Sequence, residues 1–125
     1  MLTDTQKLPS ADPAAAPLAG LDLAAAQQLQ SAACEAAGLL RSLANPERLM
    51  LMCALAQGER CVSELARDTG IQQPTLSQQL GVLRDEGLVS TRREGRFIFY
   101  SVGSERALQV LLLLQRLYCP PAPVV

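Results

Sequence analysis

The order of local patterns in the middle of the chain constrains its fold more than any other feature of the sequence. Residues 61–71 carry one apolar helical face and end at Gly70-Ile71, where glycine can adopt the left-handed conformation that ends a helix. Residues 74–86 begin with a proline and polar residues and carry a second apolar stripe. That stripe consists of Leu76, Leu80 and Leu83. Two short helices joined by a tight turn at a glycine form a helix-turn-helix.

A change from helical to strand-like periodicity follows these two helices. Residues 88–93 and 96–102 are β-branched or aromatic runs on either side of Glu94-Gly95, a pattern typical of a β-hairpin. A helix-turn-helix that is followed by such a hairpin is a winged helix.

Three flanking segments predict further helices. The first is rich in Ala, Gln and Leu and runs from Asp22, which can cap it, to about Leu43. An Asn-Pro pair at 45–46 is typical of an N-cap and the first helical position, and it introduces an apolar helix that extends to Ala56. Residues 104–118 form an apolar last helix. The predicted fold class is mainly α (α+β), a winged helix-turn-helix with five helices and a β-hairpin wing.

Composition separates the two ends of the chain from this domain. Residues 1–20 are rich in Ala and Pro, which predicts a disordered tail, and residues 120–125 predict a flexible Pro-rich tail. Residues 21–119 are left as one winged-helix domain for DNA binding and dimerisation. We find neither a secretory signal nor an uncharged apolar run of about 20 residues, so we expect a cytoplasmic protein without membrane contact.

The chain has no histidine, and this excludes several kinds of chemistry. A Ser-His-Asp or Cys-His nucleophile pair, an HExxH metalloprotease site and any metal site built on imidazole all require one. Metal or redox chemistry would therefore use the four cysteines, no two of which have CxxC spacing. These are Cys34, Cys53, Cys61 and Cys119. In the cytosol such cysteines are more often free thiols, metal ligands or redox sensors than structural disulfides.

Nucleic-acid binding would have to come from a local patch, because the net charge of the chain is −1. Hydroxyls and amides near the start of the helix at 74–86 can contact phosphates and base edges in a major groove. These residues are Gln73, Thr75, Ser77, Gln78 and Gln79. A second group lies at the hairpin tip around Glu94 and consists of Arg92, Arg93 and Arg96. Solvation alone would explain either group, but together with the helix-turn-helix they favour contact with double-stranded DNA.

The first and last helices are both strongly apolar, and the winged-helix unit between them is too small to bury the apolar side chains of both. They either pack as ordinary core or form a homodimer interface, and we favour the homodimer. A two-fold dimer would place two reading helices one DNA turn apart.

The segment from about Leu43 to Val102 resembles the ArsR/SmtB family of dimeric bacterial winged-helix repressors. The resemblance is carried by three strings in order and at family spacing: LANPERL at 43–49, QPTLSQQL at 73–80 and EGLVSTRREGR at 86–96. Gln79 departs from the pattern, since relatives often have histidine there. The resemblance implies a repressor that binds operator DNA as a homodimer, and not an enzyme.

Two further strings resemble the persulfide-sensing branch of this family, of BigR and SqrR type. They are LMCAL at 51–55 and LYC at 117–119. The resemblance implies that Cys53 and Cys119 are the sensing thiols, that a persulfide or polysulfide joins them in a polysulfide bridge within one protomer, and that the bridge weakens DNA binding. It implies no cofactor and no metal. Cys34 and Cys61 would be accessory.

Three alternatives stay open. The string CVSEL at 61–65 matches half of the two-cysteine motif of the arsenic-sensing branch, so a repressor that responds to arsenic, antimony or another thiophilic metal is the main one. A thiol enzyme is a second, although the sequence offers no histidine base. A structural DNA-binding protein with inert cysteines is a third.

Overall fold

A computed structural model describes residues 22–119 of the 125-residue chain. Its elements in chain order are α1 (Leu23–Leu43), α2 (Pro46–Ala56), β1 (Arg60–Cys61), α3 (Val62–Thr69), α4 (Thr75–Asp85), β2 (Val89–Glu94), β3 (Phe97–Val102) and α5 (Glu105–Tyr118). The predicted mainly α winged helix with five helices is confirmed. The tails predicted at 1–20 and 120–125 lie outside the described residues.

Contacts divide the chain into two units, which meet within α1 between Gly38 and Leu39. The described part of the first unit is the first three-quarters of α1. The second unit contains the end of α1 and every other element, and it is the unit that carries the sites considered below.

Short polar side chains start three of the helices. The carboxylate of Asp22 accepts a hydrogen bond from the Ala25 backbone N–H at 2.8 Å, and the amide oxygen of Asn45 accepts one from Arg48 at 3.0 Å. The hydroxyl of Ser104 caps α5 in the same way. Each such cap is worth about 1 kcal/mol relative to alanine. The predicted caps at Asp22 and Asn45 are therefore present, and α1, α2 and α5 begin where the sequence places them.

The turn between α3 and α4 follows from two residues. Gly70 adopts a positive φ of 76°, which only glycine adopts without strain, and ends α3. Thr69 donates its hydroxyl to the Leu65 carbonyl at 2.7 Å and accepts the Ile71 N–H at 3.2 Å. The Thr69 side chain therefore links the last turn of α3 to the first residue after Gly70 and fixes the start of the turn towards α4.

The wing consists of β2, β3 and the turn between them. It belongs to a three-stranded antiparallel sheet with the order β1-β3-β2. Glu94 pairs with Phe97, so the turn residues are Gly95 and Arg96 rather than Glu94 and Gly95. The sequence analysis also missed β1, because a strand of two residues is too short to show an alternating pattern.

One hydrophobic core joins the elements of the second unit. Its largest fully buried side chains come from α2, α3, α4 and α5: Leu51, Met52, Leu65, Leu76, Leu83 and Leu111. The predicted stripe of α4, including Leu80, is buried in this core. The opposite side of α4 is therefore left facing solvent, and the core fixes the direction in which it points. No helix among residues 22–119 has the length and hydropathy needed to cross a membrane.

Candidate functional site

The polar side of α4 holds the first group of predicted DNA-contact residues. Ser77 and Gln78 are exposed, whereas Thr75 is half-buried. Gln73, just before the helix, is also exposed, and its side-chain oxygen accepts the Ser77 N–H at 3.0 Å. This bond fixes Gln73 against the first turn of α4, where helix N–H groups favour anionic partners.

Gln79 is held in place by an arginine that the sequence analysis did not assign to the site. Arg48 on α2 donates from Nη1 to the Gln79 side-chain oxygen at 3.1 Å and from Nε to the Ser42 carbonyl at 2.6 Å. Arg48 belongs to the string at 43–49 that carries the family resemblance, but nothing local in that string indicates a partner on α4. The residue that replaces the family's common histidine is therefore anchored to α2.

The three arginines of the wing differ in their surroundings. Arg93 is exposed, with no ion pair among residues 22–119, and Arg96 is exposed with its guanidinium 5.8 Å from the Phe97 ring centroid. Arg96 also lines a cavity of about 500 Å³ together with Gln73, so the structure brings the wing tip and the start of α4 together.

Arg92, in contrast, is engaged by carboxylates. Its Nε and Nη2 donate to the two oxygens of Glu59 at 2.8 and 2.9 Å, and its Nη1 donates to Glu94 at 2.8 Å. The guanidinium lies 4.7 Å from the Phe99 ring centroid. The hydrogen bonds to Glu59 lower the pKa of that carboxylate and raise the pKa of Arg92, so both groups stay charged. The sequence analysis did not identify Glu59.

The thiols of Cys53 and Cys119 lie at one groove, which we call the thiol groove. It has a volume of about 700 Å³. Its lining residues are Met50, Cys53, Ala54, Gln57, Arg60, Asp68, Thr69, Gln115 and Cys119. The same two cysteines also line an adjoining cavity of about 400 Å³ together with Leu49, Leu114, Gln115 and Tyr118. Residues that are distant in sequence, on α2 and at the end of α5, are thus brought to one place.

The amide of Gln115 spans the thiol groove. It donates to the Cys53 carbonyl at 3.4 Å and accepts from the side-chain nitrogen of Gln57 at 3.3 Å. The sequence analysis did not identify Gln115. The only local signal is that this polar residue interrupts the apolar run of the last helix. It connects α5 to the end of α2.

The environment of Cys53 favours its neutral thiol. Burial raises the pKa of Cys53, the hydrogen bond with Gln115 opposes that rise, and charge on Cys119 adds to it. Cys119, which follows the last residue of α5, is exposed. Access therefore favours Cys119 as the first thiol to meet a reagent, and Cys53 becomes a strong nucleophile only once it loses its proton.

The other two cysteines are placed differently. Cys61 is buried at the start of α3, where its N–H donates to Glu64 at 2.9 Å and its sulfur lies 3.3 Å from the Ser63 hydroxyl. It lines the cavity beneath the wing rather than the thiol groove. Cys34 is exposed on α1. Among residues 22–119, no three cysteines, aspartates or glutamates are grouped so as to hold a metal ion.

Comparisons with known proteins agree with this architecture. The family profile described as "Bacterial regulatory protein, arsR family" matches residues 45–91. The biofilm growth-associated repressor of Agrobacterium fabrum is 50% identical over 93 residues, which cover 74% of this chain and 80% of that protein.

Two solved structures are similar over most of their length. The crystal structure of the transcriptional repressor BigR from Xylella fastidiosa superimposes with a TM-score of 0.70 and 46% identity, covering 76% of this chain and 97% of that one. The solution structure of a homodimeric winged helix-turn-helix domain from Mycobacterium bovis superimposes with a TM-score of 0.60 and 35% identity, covering 79% and 88%.

Proposed function

This chain belongs to the ArsR family of DNA-binding transcriptional regulators, and we propose that it represses transcription until reactive sulfur species join Cys53 to Cys119. Its relatives are transcriptional regulators and not enzymes. The observation that carries the proposal is that the two thiols share the thiol groove although they lie on different helices.

The surface that binds operator DNA combines the polar side of α4 with the wing, and we call it the DNA face. It consists of Gln73, Thr75, Ser77, Gln78, Gln79, Arg92, Arg93 and Arg96. The exposed hydroxyl and amide groups of α4 suit base edges and phosphates in a major groove. At the wing, the side chains of Arg93 and Arg96 suit phosphates or an adjacent minor groove.

A homodimer would present two DNA faces to two half-sites. Exposed apolar side chains on α5 support this arrangement, with 64% of Leu117 and 44% of Leu113 exposed to solvent. On α1, Leu29 and Leu40 are also about half exposed. Exposed aliphatic side chains of this kind are what a second copy would cover. The similar domain from Mycobacterium bovis is homodimeric.

The chemistry requires only an organic persulfide, RSSH, as oxidant. The Cys119 thiolate attacks the terminal sulfur, the S–S bond breaks, and RS⁻ leaves and takes up a proton. The resulting cysteine persulfide attacks the carbon-bearing sulfur of a second RSSH, which releases HS⁻. The Cys53 thiolate then attacks the sulfur that was first transferred and expels RS⁻. Two thiols and two persulfides give one trisulfide, two RSH and one H₂S, so atoms and electrons balance.

The inserted sulfur would distinguish persulfides from other oxidants if the two Cα atoms lie beyond about 7 Å, the limit for a plain disulfide. Each additional sulfur extends the reach by a bond of about 2 Å. The bridge joins α2 to α5, and a bias of about 1–3 kcal/mol between DNA-binding and released conformations changes operator affinity about 5- to 150-fold.

The test treats reduced protein separately with a persulfide donor and with hydrogen peroxide, then measures intact mass and affinity for an operator selected in vitro with the reduced protein. The persulfide should add one sulfur less two hydrogens and release the DNA. Cys53→Ser and Cys119→Ser should remove the response, and Cys34→Ser serves as the matched control. An unchanged response in Cys53→Ser, or a response that follows added metalloid and requires Cys61, would reject the proposal.

A further inference from the structure

Arg92 makes several contacts with neighbouring side chains, although about half of its own side chain, 52%, is exposed to solvent. It forms a two-point ion pair with Glu59, a further hydrogen bond to Glu94 and a stacking contact with Phe99. A guanidinium has five N–H donors, and these hydrogen bonds direct all three of its nitrogens at carboxylate oxygens. Arg93, the next residue in the same strand, has no such ion pair among residues 22–119 and is exposed. Arg92 and Arg93 therefore differ in whether their guanidinium groups are available to a ligand.

Glu59 lies in the segment that connects the thiol groove to the wing. Gln57 and Arg60, on either side of it, both line the thiol groove. Gln57 donates to Gln115, which donates to the Cys53 carbonyl. Arg60 begins β1 and pairs with Tyr100 on β3, so the segment is also attached to the wing through the sheet. Residues 57–60 thus contact the groove on one side and the wing on the other.

We propose that the Glu59–Arg92 ion pair positions the wing for DNA binding and transmits the state of the thiol groove to it. Arg92 is then a positioning residue, and Arg93 and Arg96 supply the phosphate contacts of the wing. The transmission part of this inference rests on the proposed sensing function. A bridge between Cys53 and Cys119 changes the end of α2, this displaces residues 57–60, and Glu59 draws Arg92 and the wing with it.

A different role for Arg92 makes an opposite prediction. If operator phosphate takes the guanidinium from Glu59, then Glu59 is a competing anion and its loss strengthens binding. A positioning pair behaves otherwise, because loss of either partner releases the wing in the same way. The two roles also differ in salt dependence, since only a phosphate contact contributes to counterion release.

The first experiment measures operator affinity of the reduced protein across a range of salt concentrations. Arg92→Gln and Glu59→Gln should each weaken binding by roughly 3- to 10-fold, and the double variant should be no weaker than either one. The slope of log affinity against log salt should stay unchanged in Arg92→Gln, whereas Arg93→Gln should reduce it by about 1. Tighter binding by Glu59→Gln, with a slope reduced by about 1 in Arg92→Gln, would overturn the positioning role.

The charge-swapped variant Glu59→Arg/Arg92→Glu provides the rescue test. It re-forms an ion pair between the same two positions and should recover part of the affinity that each single charge reversal loses. Circular dichroism and thermal melting confirm that the variants are folded. Failure of the swap to improve on Glu59→Arg and Arg92→Glu, in folded protein, would reject a structural pair.

The second experiment measures transmission as the ratio of operator affinities before and after persulfide treatment. In Arg92→Gln and Glu59→Gln this ratio should fall towards 1, while intact mass shows the bridge forming as in the native chain. Bridged variants that release DNA by the native ratio would overturn the transmission. If the native chain itself never forms a bridge, the proposed function and the transmission both fail, and the salt slopes still decide the positioning role.

Discussion

The DNA face and the thiol groove differ in how firmly their polar groups are held. On the DNA face, Gln79 is anchored by Arg48 at 3.1 Å and Arg92 by Glu59 at 2.8 Å. In the groove, the amide contacts of Gln115 are 3.3 and 3.4 Å long, and the thiol of Cys119 is exposed. One region is pre-organised for a fixed target, whereas the other is weakly held and open to change. The contrast is consistent with the proposed function, in which one surface binds DNA and the other reacts with persulfides.

Loss of the dimer should separate the two regions most strongly, because it should weaken DNA binding and leave the reaction at the thiol groove unchanged. Leu113→Glu/Leu117→Glu places charge on the exposed apolar side of α5 and should produce monomers in analytical ultracentrifugation. Operator affinity should fall by at least about 100-fold, because a monomer contacts only one half-site. Bridge formation within one protomer should continue, as intact mass would show. Arg116→Glu, with the same change of net charge on the same helix, should stay dimeric, and a dimeric double variant would contradict the interface.

The groove can be tested alone through its pH dependence. Because burial raises the pKa of Cys53 above the ordinary value of 9.0, the thiol is neutral at pH 7 and gains reactivity as pH rises through its shifted pKa. Alkylation of Cys53 by iodoacetamide, followed by peptide mass, should accelerate almost tenfold per pH unit and keep rising beyond pH 9. In Cys119→Ser the midpoint should move down, since charge on Cys119 contributes to the rise. A plateau below pH 9 in the native chain would contradict the assigned environment.

The DNA face can be tested alone through Arg48. Arg48→Ala removes the hydrogen bond to Gln79 and should lower the operator affinity of the reduced protein roughly 3- to 10-fold, as expected for about 1 kcal/mol. The persulfide reaction should keep its native rate. In a Gln79→Ala background, Arg48→Ala should have little further effect on affinity, which a double-mutant cycle measures. Additive losses would show that Arg48 acts through something other than Gln79.

The smallest effect should come from the amide that spans the groove. Gln115→Ala removes the hydrogen bond that lowers the pKa of Cys53, so at neutral pH the alkylation of Cys53 should slow by roughly two- to threefold. The affinity of the reduced protein for DNA should not change. Gln109→Ala, the same substitution at an exposed position of α5, is the control. Faster alkylation of Cys53 in Gln115→Ala would contradict the inference that this amide lowers the pKa of Cys53.

The features that were predicted correctly from the sequence are those set by residues close together in the chain. The N-cap at Asn45 and the helix end at Gly70 depend on neighbouring residues alone, and both are found where expected. The strand β1 escaped prediction because its two residues become a strand only by pairing with β3. The hairpin turn was misplaced by one residue for a related reason, since register is set by the partner strand.

The supporting residues of both sites were not predictable in the same way. Arg48, Glu59 and Gln115 each act on a residue that is distant in sequence, and no local pattern marks such pairs. The pairing of Cys53 with Cys119 was expected only from a family resemblance. Its assignment as a sensing pair therefore depends on the persulfide experiment.

The long separation in sequence between Cys53 and Cys119 would give the proposed bridge a second effect, on protein stability. A bridge that closes a loop of this length constrains the unfolded chain and would stabilise the folded state by about 4 kcal/mol in the loop-entropy treatment. The bridged protein would then unfold, and be degraded by proteases, more slowly than the reduced protein that is free of DNA. Reduction of the bridge could restore repression from the existing pool of molecules, without waiting for new synthesis.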